Sequence, residues 1–296
     1  MSTPAHLGPY RLLERIGSGG MAEVFAARRH GASGFEKDVA LKVLLPELRD
    51  DAELQRLLIA EAKLGAAMAH PNLVTVFDLG VDEGRYYVAM ERVRGGDLAR
   101  LGAGAPMPEP LALYVAIELV DALGYLHAFA DDDGRALGLV HRDISPANVL
   151  VSRDGAVKLA DFGIAKATQL AAQTRARIVR GKFAYLSPEQ LAGESPTART
   201  DQFALGITLA ELLTGRRPFD AQGPVQTMDR IRDGAPTLDG VADDLQPMLR
   251  RCLQTDPATR YEEIGALLGP LRAARRARPD TGSTELAAWV RTRMDA

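Results

Sequence analysis

The chain has 296 residues, of which 46% are hydrophobic and 25% charged, and this length suits one large domain or two closely joined lobes. Its formal net charge of −3 argues against a protein that binds nucleic acid through bulk electrostatics. The one cysteine, Cys252, excludes an internal disulfide and suits a reducing compartment.

The first third of the chain predicts strands around one helix. Residues 10–45 alternate apolar and polar side chains between glycines, which is typical of strands and tight turns. Asp50 or Asp51 is a good N-cap for a helix that runs to about Met68. Two further strands are predicted at Val74–Phe77 and Tyr86–Met90, around a turn at Asp82–Gly84.

The rest of the chain is predicted to be mostly helical after the break at Gly95–Gly96. A long helix with an apolar face starts at Pro108 and reaches about Phe129. Later helices are centred near 200–214, 244–253 and 261–275. A basic run over 271–279 then precedes a brief amphipathic helix, Glu285–Met294, which we interpret as a packing tail rather than a recruitment site.

A glycine-rich segment lies between two of the predicted strands, and it is Gly17-Ser18-Gly19-Gly20-Met21-Ala22-Glu23-Val24. Glycines let a hairpin lie close over phosphates and offer backbone N–H groups without side-chain obstruction. Glycine hairpins are common, so this segment alone is weak evidence for a nucleotide site. Ala22 stands where such loops usually have a third glycine and is small enough to be tolerated.

Lys42 and Glu61 form a candidate ion pair. Lys42 ends the strand segment Val39-Ala40-Leu41-Lys42, and Glu61 is on the helix that follows. A lysine that points inward from a strand needs a partner, and Glu61 can orient its ammonium group toward the α- and β-phosphate oxygens of a nucleotide. Taken alone, the two residues fit an exposed surface pair better.

The strongest signal is the segment His141-Arg142-Asp143-Ile144-Ser145-Pro146-Ala147-Asn148. An aspartate and an asparagine on one rigid loop supply two functions. Asp143 orients an attacking hydroxyl group and accepts its proton, while Asn148 offers an oxygen to Mg²⁺. Phosphoryl transfer depends mainly on positioning and charge neutralisation, so these groups suffice with a metal ion.

Asp161-Phe162-Gly163 follows an apolar strand predicted at Val157–Ala160. Asp161 is predicted to bind the Mg²⁺ that bridges the β- and γ-phosphates, and Gly163 lets the chain turn sharply. This tripeptide is common by chance. Because it follows the segment His141–Asn148 at the expected distance along the chain, a chance occurrence of the tripeptide is negligible.

These four segments in this order resemble the eukaryotic-type protein kinase family over about residues 10–272. Three further features add to the resemblance, namely Ser187-Pro188-Glu189, the stretch Asp201 to Gly206, and Arg260. The segments IGSGGMAEV and HRDISPANVLV are most similar to bacterial Hanks-type Ser/Thr kinases, particularly those of myxobacteria and their relatives.

The resemblance implies an α+β, two-lobed fold with ATP in the cleft between the lobes. The expected parts are a β-rich, ATP-binding N-lobe with one helix at 10–93, a larger helical C-lobe with the catalytic and activation segments at 94–275, and a tail at 276–296. The implied nucleotide-binding residues are Ile16, Gly17, Ser18, Gly19, Gly20, Val24, Ala40, Lys42, Met90, Glu91, Val93, Asp97, Leu150 and Asp161.

The resemblance also assigns roles to individual residues. Met90 is the gatekeeper, Glu91 and Val93 offer hinge backbone groups to adenine, Asp97 reaches the ribose, and three apolar residues sandwich the adenine ring, namely Val24, Ala40 and Leu150. The catalytic set is Lys42, Glu61, Asp143, Asn148 and Lys182, and the metal ligands are Asn148 and Asp161. Asp201 is expected to brace the catalytic loop and Glu189 to pair with Arg260.

The chain departs from the family pattern in its cations. Two positions after Asp143 the family usually has a lysine that neutralises γ-phosphate charge, and this chain has Ser145. The family's Gly-Thr pair in the substrate-docking loop is replaced by Gly181-Lys182. We interpret the two changes as a compensating exchange, the alternative being unrelated drift with reduced transfer activity.

A third departure is Gly65, at a position four residues after Glu61 where a larger apolar residue usually stacks toward Phe162. A glycine there costs about 1 kcal/mol of helix stability relative to alanine, so the Lys42–Glu61 pair is expected to be held less firmly.

The segment 164–180 contains a candidate phosphorylation switch. Arg142 is a basic residue of the kind that pairs with an activation-loop phosphate. The hydroxyl residues in this stretch are Thr168 and Thr174, of which Thr174 is closer to the middle. Nearby arginines are expected either to hold the phosphate or to keep the loop solvated, and they are Arg175, Arg177 and Arg180.

The implied function is transfer of the γ-phosphoryl group of ATP to Ser or Thr hydroxyls of proteins, with autophosphorylation. A pseudokinase scaffold would have lost Lys42, Asp143, Asn148 or Asp161. A small-molecule kinase would generally lack the Ser-Pro-Glu motif and its partner Arg260. Tyrosine specificity is disfavoured because the catalytic loop lacks the arginine usual in tyrosine kinases, although Lys182 keeps that question open.

The expected cofactors and partners follow from this function. ATP and Mg²⁺ are expected, with Mn²⁺ as an alternative, together with protein substrates and a transient homodimer for autophosphorylation. No nucleic acid is expected. The first ten residues lack a signal pattern, and Glu118 and Glu211 interrupt the most apolar stretches, so we expect a cytoplasmic chain without a membrane segment, or one piece of a longer membrane-anchored protein. The substrate and the activating signal are left open.

Overall fold

The computed structural model describes residues 6–19, 21–131, 133–161 and 182–295, with only the backbone at Lys182. The chain divides into two compact units, Met1–Val93 and Arg94–Ala296. The first unit is rich in strands and the second in helices, which confirms the predicted α+β class.

The N-terminal unit is built on a six-stranded antiparallel sheet with the strand order β1-β2-β3-β4-β6-β5. Its strands and helix are β1 (His6–Leu7), β2 (Tyr10–Ser18), β3 (Ala22–His30), β4 (Glu36–Leu44), α1 (Ala52–Ala67), β5 (Val76–Asp82) and β6 (Arg85–Glu91). Strands β5 and β6 are joined at Glu83 and Gly84, which have φ values of 47° and 74°. Positive φ at both positions suits a tight hairpin turn.

Strand β4 is buried from Val39 to Leu44 because both faces of the sheet are covered. On one face a cluster includes Tyr10 and Tyr87, whose rings meet edge to face at 5.6 Å. On the other face α1 packs its apolar side onto Leu44 and Val88. A strand covered on both faces loses the alternation of polar and apolar residues, as this one does.

Helix α1 begins where the sequence predicts. The carboxylate of Asp51 accepts hydrogen bonds from the backbone N–H groups of Glu53 and Leu54 at 2.9 and 3.1 Å, which satisfies two of the N–H groups left open at a helix start. This confirms the predicted N-cap and places Glu61 on the buried side of the helix.

The C-terminal unit combines helices with a small sheet. Its helices are α2 (Leu98–Gly102), α3 (Glu109–His127), α4 (Pro188–Leu191), α5 (Ala198–Thr214), α6 (Pro224–Asp233), α7 (Gln246–Cys252), α8 (Leu268–Arg276) and α9 (Ser283–Met294). Its strands form an antiparallel sheet, and they are β7 (Gly95–Asp97), β8 (Val149–Ser152) and β9 (Val157–Leu159). Helices α3 and α5 pack together in the core, and α3 also contacts β9 and α8.

Helix α3 is long and apolar enough to cross a membrane by length and composition, despite the interruption expected at Glu118. However, 61% of its most apolar window is buried inside the protein. A buried core helix has the same length and composition, so these two properties are only weak evidence that α3 spans a membrane.

Candidate active site

Lys42 and Glu61 form a buried ion pair in the N-terminal unit. The Nζ atom of Lys42 lies 2.7 Å from Oε1 of Glu61, and the two residues are 7% and 8% exposed. Strand β4 and helix α1 hold them together, so the pair is not the exposed surface contact that the residues alone would suggest. Removal of one partner from such a pair leaves a buried charge, which is strongly destabilising.

The glycine-rich segment forms the end of the β2–β3 hairpin. Gly17 and Ser18 end β2 opposite Val24 and Glu23, and the N–H of Gly19 donates to the carbonyl oxygen of Ala22 at 2.6 Å. The candidate nucleotide-binding residue Gly20 lies outside the described residues. Ile16, on β2, is 39% exposed.

The other nucleotide-binding candidates of this unit lie on neighbouring strands. Ala40 pairs with Met90 across the β4–β6 ladder and is buried. Glu91 ends β6, and its N–H already donates to the carbonyl oxygen of Thr75 at 2.8 Å. The N–H of Glu91 is therefore already engaged within the N-terminal unit. Val93 is the last residue of the unit and is partly exposed.

In the C-terminal unit, Asn148 fixes the carboxylate of Asp143. The Nδ2 atom of Asn148 donates to the backbone carbonyl oxygen of Asp143 at 2.6 Å and to its Oδ2 at 2.7 Å. Because the amide nitrogen is directed at Asp143, the amide oxygen Oδ1 is the atom that can bind a metal ion. Both residues are buried, at 9% and 4% exposure.

Asp201 braces the backbone of the same loop. Its carboxylate oxygens accept hydrogen bonds from the N–H groups of His141 and Arg142, both at 2.8 Å, and Arg142 has a positive φ of 68°. A non-glycine residue in this conformation needs support from its surroundings, and Asp201, which is fully buried, provides it. The bracing role expected of Asp201 is therefore present in the geometry.

Sequence reasoning missed His127, which also holds Asp201. The Nε2 atom of His127, at the end of α3, lies 2.8 Å from Oδ2 of Asp201. The two residues are 74 positions apart, so no local pattern joins them. The signal in the sequence was a histidine at the end of a mostly apolar helix, shortly before the catalytic loop.

The β8–β9 hairpin brings the two candidate metal ligands into one structural element. Asn148 comes directly before β8, Asp161 follows β9, and the N–H of Ala160 donates to the carbonyl oxygen of Asn148 at 2.9 Å. Asp161 has a positive φ of 57°, an unusual conformation for an aspartate. An amide oxygen and a carboxylate are hard oxygen donors of the kind that Mg²⁺ prefers.

Asp97 and Leu150 belong to the same small sheet. They are paired across β7 and β8. The Oδ1 atom of Asp97 accepts a hydrogen bond from the N–H of Arg100 at 2.8 Å, so Asp97 also caps α2.

Ser145 has no hydrogen-bond partner for its Oγ atom among the described residues, although it is only 2% exposed.

Several residues important to the prediction lie outside the described part of the chain, and they are Phe162, Gly163, Thr168, Thr174, Arg175, Arg177, Arg180, Gly181 and the side chain of Lys182. The proposed exchange between Ser145 and Lys182 therefore stays a prediction.

The backbone of Lys182 opens the short 3₁₀ helix Lys182–Tyr185. The hydroxyl group of Tyr185 donates to Oε2 of Glu211 on α5 at 2.5 Å. Burial raises the pKa of both groups, and the charge of Glu211 raises that of Tyr185 further. The end of this segment is thereby fixed to the core of the C-terminal unit.

Glu189 and Arg260 form a buried, two-pronged ion pair at 2.8 and 2.9 Å. The hydroxyl group of Thr200 donates to Oε1 of Glu189 at 2.9 Å. Burial alone would raise the pKa of Glu189, but the hydrogen bonds and charge of Arg260 more than offset this, and the pKa is lowered. The expected pairing is present, and it ties α4 to the turn Pro257–Thr259, which Arg260 follows.

Comparison with known proteins adds independent information. Residues 10–267 match the family model described as protein kinase domain. The chain is 38% identical over 274 residues to the tyrosine-protein kinase MasK of Myxococcus xanthus, covering 89% of this chain and 42% of that protein. It is 35% identical to the serine/threonine-protein kinase PrkC of Bacillus subtilis, covering 90% of this chain and 40% of PrkC.

A solved structure supports the same assignment. The kinase domain of PknI from Mycobacterium tuberculosis has a TM-score of 0.67 and 28% sequence identity, covering 92% of this chain and 99% of that one. The chain spans less than half the length of the curated relatives named above. Together with the arrangement of Asp143, Asn148, Asp161 and Asp201, these matches show that the chain belongs to the protein kinase domain family.

Proposed function

We propose that the chain is a protein serine/threonine kinase that transfers the γ-phosphoryl group of Mg-ATP to protein hydroxyl groups. The observation that carries the proposal is the fixed carboxylate of Asp143, held by Asn148 on a loop that Asp201 braces. The relative PrkC is named as a serine/threonine-protein kinase, and MasK as a tyrosine-protein kinase. The catalytic loop here has Ser145 and no arginine after Asp143, which favours Ser or Thr as the acceptor.

In this reaction Asp143 orients the acceptor hydroxyl group and accepts its proton. The hydroxyl oxygen forms a bond to the γ-phosphorus while the bond between that phosphorus and the β-phosphate oxygen breaks, and ADP leaves with the electron pair. Lys42, oriented by Glu61, is expected to contact the α- and β-phosphate oxygens. These residues position groups and neutralise charge, which is most of what this reaction requires.

Asn148 and Asp161 would hold the divalent cation. The residues present fit Mg²⁺, because Asn148 directs its amide nitrogen at Asp143 and so can offer its oxygen, and Asp161 supplies a carboxylate. When bound, the ion supplies positive charge beside the β- and γ-phosphates. Mn²⁺ would fit the same donors, and the two ions are separated by measuring turnover with each as the added metal.

The exchange of cations between Ser145 and Lys182 is also part of the proposal. Ser145 offers a buried neutral hydroxyl group where the family usually has a lysine. Lys182 begins a short helix that Tyr185 anchors to α5. A lysine side chain there would supply the missing charge.

Phosphorylation in the segment 164–180 is the proposed switch. Support comes from Arg142, whose Nε atom is buried and has no hydrogen-bond partner among the described residues. Autophosphorylation of Thr168 or Thr174 would proceed in a transient homodimer. We further propose that the domain works in the cytoplasm, where ATP is available.

The test combines labelled ATP with the pure chain and a generic protein substrate. We expect transfer that depends on Mg²⁺, with label on serine and threonine after acid hydrolysis, and phosphorylated sites that mass spectrometry maps to 164–180. Label on tyrosine alone would favour tyrosine kinase activity, as in the name of MasK. Binding of Mg-ATP without any transfer would favour a scaffold function instead.

A further inference from the structure

The C-terminal helix α9 lies outside the family match, which ends at residue 267, yet it is packed into the C-terminal unit. It contacts α2, β7 and β8. Three of its residues are buried, namely Leu286 at 0%, Ala287 at 4% and Val290 at 0% exposure. They share one face of the helix. The amphipathic pattern predicts Leu286 and Val290 on this face correctly, but it also predicts Met294 there, which is wrong, since Met294 is 39% exposed.

The connection between α8 and α9 is fixed by arginines. The guanidinium group of Arg278 donates to both carboxylate oxygens of Asp244 at 2.7 and 2.8 Å and also to Glu109. Arg275 donates to the carbonyl oxygen of Thr281 at 2.5 Å. The hydrogen bond to Asp244 is the main cause that raises the pKa of Arg278. The start of α9 is therefore held in place by contacts outside the helix itself.

The sheet that α9 contacts carries or adjoins the candidate nucleotide and metal ligands of the C-terminal unit. Asp97 ends β7, and Leu150 is its partner on β8. Asn148 comes directly before β8, and Asp161 follows β9. A tilt of this small sheet would displace the candidate ribose, adenine and metal contacts together.

Helix α9 holds the tip of the β8–β9 hairpin at two points. A Cβ atom at Gly155, in the turn of the hairpin, would lie only 1.8 Å from the carbonyl oxygen of Ser283 at the start of α9. At the other end of the helix, Arg291 donates to the carbonyl oxygen of Arg153 at 3.0 Å. Asp295 lies 3.7 Å from the guanidinium group of Arg153. The hairpin tip thus touches both ends of α9.

We propose that α9 is a positioning element for nucleotide and metal binding, which sets the tilt of the sheet that carries Asp97, Asn148 and Asp161. This inference rests on the proposed function and adds the tail to the binding machinery. Loosening α9 should weaken Mg-ATP binding because the ligands lose their common support. It should leave the affinity for the protein substrate unchanged, since the expected substrate-docking position Gly181-Lys182 is followed by a short helix that Tyr185 fixes to α5.

The first test is Gly155→Ala in the full chain, with Gly134→Ala as its matched control. Both glycines have positive φ, 81° and 79°, so an alanine strains the two turns alike. A Cβ atom at Gly134 meets nothing within 4 Å, whereas at Gly155 it meets Ser283. We expect Gly155→Ala to raise the Kd for Mg-ATP, measured by calorimetry, by about tenfold, and Gly134→Ala to leave it unchanged.

The second test loosens the helix from its buried face, through Leu286→Ala, with Leu249→Ala on α7 as the control. Both leucines are 0% exposed, so the loss of packing is comparable, but Leu286 is on the helix that contacts β7 and β8, whereas Leu249 is on α7, which contacts α5. Below the Tm of both variants, Leu286→Ala should raise the Kd and the KM for ATP with little change in the KM for protein. Deletion of 282–296 is a less useful variant, because it exposes the apolar face beneath α9.

The outcomes separate this inference from the proposed function. Wild-type affinity for Mg-ATP in either Gly155→Ala or Leu286→Ala would overturn the positioning role. An equal loss of affinity in a test variant and its control would overturn it as well, because it would show a general effect of destabilisation. If the unchanged chain fails to bind Mg-ATP or to transfer phosphate, the proposed function itself is wrong.

Discussion

The side-chain amide of Asn148 donates to the carboxylate of Asp143 at 2.7 Å, so the candidate metal ligand and the candidate base are directly joined. Substitution of Asn148 by Asp would place a second carboxylate at this distance. Like charges this close raise the pKa of the pair, because both groups resist ionising together.

We therefore predict that Asn148→Asp lowers turnover and moves the acid limb of the pH–rate profile to higher pH, since the base must be deprotonated to work. Asn148→Ala removes the same hydrogen bond without adding charge and should lower turnover with a smaller shift. The measurement is kcat as a function of pH for the three proteins. Identical acid limbs in Asn148→Asp and wild type would contradict the direct coupling.

The exchange between Ser145 and Lys182 gives a prediction about additivity. Lys182→Thr should reduce kcat by about a hundredfold with little change in ATP affinity, because a preorganised charge near the transferring group is lost. Adding Ser145→Lys should recover much of the activity, since residues that share one role do not behave independently. Near wild-type turnover in Lys182→Thr, or no recovery in the double variant, would show that this kinase works without that cation.

The phosphorylation switch predicts a loss of activity in the double variant that carries both Thr168→Ala and Thr174→Ala. A phosphate that pairs with Arg142 is expected to change activity by about 5- to 150-fold, the usual range of coupling between two sites. Arg142→Gln should reduce activity to a similar level and make the threonine substitutions redundant. Full activity in the double alanine variant, with phosphate mapped elsewhere, would rule out this switch.

The lowered pKa of Glu189 predicts a specific dependence of stability on pH. A carboxylate whose pKa is lower in the folded state contributes stability above its unfolded pKa of about 4.3, and this contribution is lost as the pH falls through the folded value. Glu189→Gln should reduce the free energy of unfolding at pH 7 by about 3–5 kcal/mol, because Arg260 keeps a buried charge.

Below about pH 4.3 the difference between wild type and Glu189→Gln should narrow, because Glu189 in the unfolded wild type then gains a proton that the folded protein, with its lower pKa, binds only at still lower pH. Urea denaturation of both proteins at several pH values measures this difference in the free energy of unfolding. A difference that stays constant from pH 7 to pH 3 would show that the lost stability comes from packing and not from the charge.

Much of the fold was predictable because its signals are local. The N-cap Asp51 binds backbone groups only two and three residues away, and helix α1 starts where the sequence predicts. The segment from His141 to Asn148 supplies the loop chemistry within one stretch of chain for the same reason. Helix α6 was not predicted, since Pro224–Asp233 is mostly polar and buries only Thr227 and Ile231.

The parts of the site that were not predictable depend on distant contacts. The bond between His127 and Asp201 joins residues 74 positions apart, and neither periodicity nor composition encodes it. The contact of Gly155 with Ser283 likewise depends on how the tail returns to the sheet. Sequence patterns predicted that a tail helix exists, but tertiary packing decides what it covers.

The most direct test of the proposed function is Asp143→Asn, measured for both nucleotide binding and turnover. The substitution keeps the size of the side chain but removes the proton acceptor, so we predict an unchanged Tm, Mg-ATP binding close to wild type, and turnover lower by about 10²–10⁴-fold. Turnover close to wild type in a folded, ATP-binding Asp143→Asn protein would contradict the role of Asp143 and, with it, the proposed mechanism.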